Sequence, residues 1–129
     1  MYRSPSGDLD KFLEKLNQTL QQLNRHRNKQ ILFVSDSNVD LLKYGHFENA
    51  TKLVDIFSGY GFAPLISRPT RITNHSASLI DHIFSNNCHT ITKSGVITEN
   101  LSGHLAVYIN ILLDPNKVCL LYTSPSPRD

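Results

Sequence analysis

The chain has 129 residues, with 40% hydrophobic and 19% charged side chains, the balance of one small globular domain rather than a disordered segment. Its net charge of +2 is too small to argue for nucleic-acid binding by itself. Two cysteines, Cys88 and Cys119, offer neither a disulfide framework nor a zinc-type spacing, so reduced thiols are expected.

The first segment with a clear period begins at Leu9. Leu9, Phe12, Leu13, Leu16, Leu20 and Leu23 recur at steps of three and four and predict an amphipathic helix, with Asp8 or Ser6 as its N-cap. Arg25, His26, Arg27 and Lys29 follow. They read as a basic helix end that complements the dipole, with phosphate contact as the alternative. Ile31, Leu32, Phe33 and Val34 form an unbroken apolar run, the pattern of a strand buried on both faces. A second helix is predicted over residues 48–60, with Leu53, Val54 and Phe57 inward and Gly59 or Gly61 at its end. Residues 62–66 read as a strand and 67–78 as a loop. Residues 79–84, 91–98 and 104–113 read as further strands, which makes an α/β layered chain. There is no signal-type apolar run at the N-terminus, and the stretch 105–113 is too short to span a bilayer. A soluble intracellular protein, without membrane partners, is expected. Residues 119–129 lack periodicity, carry Pro125 and Pro127, and look like a translated sequencing adaptor. The natural coding sequence is therefore expected to stop near Lys117 or Val118, with a non-native, disordered tail over 118–129.

Three segments could carry chemistry. Ser35, Asp36, Ser37 and Asn38 stand directly after a strand, where ligand-binding groups gather in α/β sheets. Asp36 and Asn38, two residues apart, are expected to share a face, placing a carboxylate beside an amide; turn formation is the competing role. Asp81 lies inside the apolar run 79–84 and needs a partner if buried. His82 faces away from it by strand alternation, and His104, before the last strand, is the candidate. Such a pair fixes an imidazole tautomer for acid/base work. His26, His46, His75 and His89 are expected on the surface or in loops.

Those segments also resemble a known family. Residues 31–42, from Ile31 through Asp36 and Asn38 to Leu42, resemble the "hydrophobic strand, G-D-F-N, hydrophobic, D" signature of the endonuclease/exonuclease/phosphatase superfamily. Residues 68–73 and 78–86 are similar to the "RPTRIT" and "S-TLIDHIFSN" runs of LINE- or jockey-like non-LTR retrotransposon endonucleases. Ser102, Gly103 and His104 occupy the place of that family's terminal S-D-H, and Tyr2 to Pro5 resemble its Y-R-P-P segment. The resemblance covers Tyr2 to about Lys117 and implies the C-terminal half of a DNase I-like four-layer α/β sandwich over residues 1–117, truncated at its N-terminus.

By the same resemblance, the implied activity is Mg²⁺-dependent nicking of target DNA, in a polyprotein that also carries a reverse transcriptase and works in the nucleus. Asp36 would activate or orient the attacking water, and Asn38 would hold it or a phosphate oxygen. His104, oriented by Asp81, would assist proton transfer at the scissile phosphate, with Tyr2 and Arg71 as phosphate contacts. The departures are specific. Gly103 replaces the family's aspartate, Ser35 and Ser37 replace its glycine and phenylalanine, and Ser4 replaces a proline. The half that supplies the metal-binding glutamate is not matched, so no metal ligand is assigned in this chain, Mg²⁺ binding by the fragment is not expected, and neither is activity. A non-catalytic interaction or nucleic-acid-binding remnant using Arg25, Arg27, Lys29, Arg68 and Arg71 is the second reading.

Overall fold

The computed structural model describes residues 1–98 and 103–112. Helix α1 (Leu9–Leu23) begins where Asp8 accepts hydrogen bonds from the backbone N–H groups of Asp10 and Lys11, and it buries Phe12, Leu13, Leu16 and Leu20. That stripe is what holds so short a helix, since each fully buried Leu or Phe contributes about 1.5–3 kcal/mol. The basic residues after it lie exposed around a 3-10 turn, Asn24–His26.

Strand β1 (Leu32–Asp36) leads through a 3-10 turn, Leu41–Lys43, to helix α2 (Glu48–Gly59). Helix α2 turns Ala50, Leu53 and Phe57 inward, while Val54 stays partly exposed. Gly61 then reverses the chain at φ +79°, a conformation that side chains disfavour. Strand β2 is only Ala63–Pro64, shorter than the five residues predicted, with one further hydrogen bond to β5 from the Leu65 N–H to the Ile83 carbonyl. The predicted loop 67–78 contains a small exposed hairpin, β3 (Arg71–Ile72) paired with β4 (Ala77–Ser78). Strand β5 (Asp81–Ser85) is buried throughout, and β6 (Ile91–Ile97) pairs antiparallel with β7 (Ala106–Ile111).

The main sheet has the order β1-β5-β2, both pairings antiparallel, and residues 1–3 run parallel along the free edge of β1. One face carries Phe33 and Phe84 into the helices. The Phe57 ring stacks on Phe84 at 3.6 Å between centroids and meets Phe33 edge-on. The other face carries Leu32, Val34 and Asp36 opposite Ser85, Ile83 and Asp81. The β6–β7 ribbon packs Val96, Val107 and Ile109 against the core and leaves Val34 58% exposed. The two-sided burial expected for residues 31–34 is therefore corrected. Only Ile31 and Phe33 are buried, because among the described residues nothing covers Leu32 and Val34. Helix layer, sheet and ribbon make the chain an α/β sandwich, and the predicted tail over 118–129 lies outside the described residues.

Candidate functional site

The register of one strand pair builds the site. Asp36 closes β1 and Asp81 opens β5, and the two are direct antiparallel partners, so their side chains leave the same face. Both are buried. His104, in the bend before β7, places its Nδ1 2.9 Å from Asp81 Oδ2. A carboxylate accepts, so Nδ1 carries the proton and the tautomer leaves Nε2 unprotonated in the neutral ring. Ligand atoms of Asp36, Asp81 and His104 all lie within 4.8 Å of one another. The sequence assigned no metal ligand, whereas the fold groups three donors that could hold a cation.

Tyr2 forms a parallel bridge with Asp36, which puts its exposed side chain on the same face. Asn38 departs from expectation. It lies beyond the end of β1 with φ +54°, a conformation asparagine tolerates, so strand alternation does not apply to it. Its N–H donates to Asp36 Oδ1 at 3.3 Å, and its Nδ2 donates to the Arg3 carbonyl. Arg71 lines, with Asn38, Asp40 and Lys43, an open depression of about 520 Å³ beside the β3–β4 hairpin. His26, His46, His75 and His89 are exposed.

Arg3 and His82 hold this site in ways that composition did not reveal. The Arg3 guanidinium donates to the carbonyls of Ser37 (2.6 Å), Gly7 (2.8 Å) and Asn38 (3.2 Å), pinning the exit of β1. Arg3→Met is expected to lower unfolding free energy by about 1.5–3 kcal/mol in urea titrations, the range for charge-assisted bonds of this kind. A change below 0.5 kcal/mol would contradict that clamp. On the opposite face from Asp81, His82 is 2% exposed and its Nε2 lies 2.8 Å from Ser37 Oγ. Burial pushes the His82 pKa down to about 4, and the nearby Asp81 charge, the Val39 backbone and Asp40 only partly oppose it. Its Nδ1 has no hydrogen-bond partner among the described residues. A polar residue between Asp81 and Ile83, opposite Ser35, was the available signal.

A buried acidic pair and a partnered histidine thus meet at one edge of a layered α/β domain. The endonuclease domain of TRAS1, a telomere-specific non-LTR retrotransposon, superposes on it with a TM-score of 0.68 at 20% identity, covering 87% of this chain. At that identity the likeness shows the fold, and the chain spans 55% of that domain's length. A family model described as endonuclease-reverse transcriptase matches residues 1–108, and the chain belongs to that family. None of the curated proteins matches it significantly.

Proposed function

We propose that this chain supplies the histidine-bearing half of a retrotransposon endonuclease site that nicks target DNA, and that the 129-residue polypeptide alone does not cleave. The observation that supports this reading is the group Asp36, Asp81 and His104, with the imidazole bonded to a buried carboxylate. Two carboxylates within that span fit a hard divalent cation that completes its shell with water, and Asp36 and Asp81 are the residues that would hold it. Bound Mg²⁺ supplies Lewis-acid polarisation of a phosphate oxygen. His104 moves a proton at the scissile phosphate through Nε2, while Asp81 keeps the ring oriented. Asn38, with Nδ2 committed to Arg3, turns its Oδ1 to the attacking water, and Tyr2 and Arg71 steady the backbone phosphates.

Two features argue that the polypeptide alone is inert. Among the described residues the metal-ligand group has no further carboxylate, and Gly103 stands where the family's motif has aspartate. Space does not enforce that glycine: among the described residues a Cβ there would meet no atom within 4 Å. The reverse transcriptase implied by the family description would belong to the same polyprotein, acting in the nucleus. The test is conversion of supercoiled plasmid with Mg²⁺, with and without EDTA. The 129-residue chain should leave the plasmid intact. The same chain carrying Gly103→Asp and fused behind the N-terminal part of a related endonuclease domain should nick it. EDTA-sensitive nicking by the short chain, or an inert fusion, would overturn the reading.

A further inference from the structure

We propose that Thr70 is a positioning residue that fixes Asp81 and His104 relative to each other. The inference rests on the reading of that pair as a nuclease site. Strand β2 pairs only with Ser85 and Phe84, so the first residues of β5 have no strand on that side. Thr70 stands in for it. Its Oγ1 accepts hydrogen bonds from the N–H groups of both Ile80 and Asp81, each at 3.1 Å, and its own N–H donates to the Ser78 carbonyl. The Thr70 carbonyl accepts from the Leu105 N–H at 2.6 Å.

One fully buried residue thus touches the backbone of Asp81 and of the residue after His104. The side-chain bond at 2.9 Å between Asp81 and His104 closes the triangle. A hydroxyl oxygen has two acceptor sites, and here both serve the start of β5. Serine keeps that oxygen. Valine keeps the shape and removes it, leaving two buried N–H groups without an acceptor. Groups behind metal ligands orient them, and their loss typically weakens metal binding by roughly 10- to 100-fold.

The experiment uses the full 129-residue chain with Thr70→Val and Thr70→Ser. The His104 Nδ1 proton, read by NMR, reports the bond to Asp81, and Mn²⁺ titration reports the donor geometry. Thr70→Ser should keep the proton signal and Mn²⁺ affinity of the parent. Thr70→Val should lose the signal to solvent exchange and bind Mn²⁺ roughly 10- to 100-fold more weakly. If Thr70→Val unfolds, Thr70→Cys, with a weaker acceptor in the same place, should show a signal fainter than that of Thr70→Ser. A folded Thr70→Val or Thr70→Cys chain with the parent's proton signal would overturn the proposal. Absence of Mn²⁺ binding by the parent is what a half-site would show, and the proton signal alone then decides the role of Thr70. An inert Gly103→Asp fusion would overturn the nuclease reading and leave the proton signal untouched.

Discussion

Asp81→Asn, in an endonuclease domain completed as above, is expected to slow plasmid nicking by about a hundred- to ten-thousand-fold. The carboxylate does two things for His104. It accepts the Nδ1 proton, which selects the tautomer, and it stabilises the ring when Nε2 takes a second proton. Asparagine can turn either its oxygen or its NH₂ toward Nδ1. The NH₂ would force the opposite tautomer, and neither arrangement carries the charge. Asp81 also faces Asp36 across the strand pair, so the substitution removes a like charge and should not lower the melting temperature. Rates within about threefold of the parent would show that the pair is structural. A large fall in melting temperature would show that the rate loss came from unfolding.

The second large effect is on stability, through the histidine behind the site. His82 titrates near 6.5 in an unfolded chain and at about 4 in the folded one, because burial penalises its charged form. Above pH 6.5 both states hold it neutral and it contributes nothing to pH dependence. As pH falls below 6.5 the unfolded chain gains a proton that the folded chain refuses, and stability declines. The decline ends near pH 4, below which both states are protonated. At 1.36 kcal/mol per pKa unit the total is about 3 kcal/mol. His82→Phe removes this component while leaving the carboxylates to titrate as before. Unfolding free energies of both chains at pH 7 and pH 4, from urea titrations, give it by subtraction. Equal pH dependence in the two chains would refute it.

Much of this arrangement was legible in the residues. The three- and four-residue spacing predicted α1 from Leu9 to Leu23 with Asp8 or Ser6 as cap, of which Asp8 serves, and α2 ended one residue early. The partnership of Asp81 with His104 followed from the cost of burying a lone carboxylate, and the two are bonded. The run 31–34 misled because four apolar residues look the same whether the second face is covered or open. The β3–β4 hairpin escaped notice because it is exposed and only two residues deep on each side, too short to show alternation. Thr70 and Arg3 were invisible for another reason. Each acts on backbone carbonyls or N–H groups, which no pattern of side chains records.

The direct opposition of Asp36 and Asp81 has a consequence for the sheet as a whole. Two acidic side chains face each other where β1 ends, one bonded to His104 and the turn beyond the other held by Arg3. Further along the same ladder, Phe33 faces Phe84, and Phe57 covers both. The pair β1–β5 thus carries its acidic groups and its aromatic anchor on one short ladder, three residues apart. Phe57→Ala removes the ring that both Phe33 and Phe84 pack on and is expected to cost about 3–5 kcal/mol of stability in urea titrations. The scaffold that aligns the acidic edge therefore rests on the aromatic core behind it.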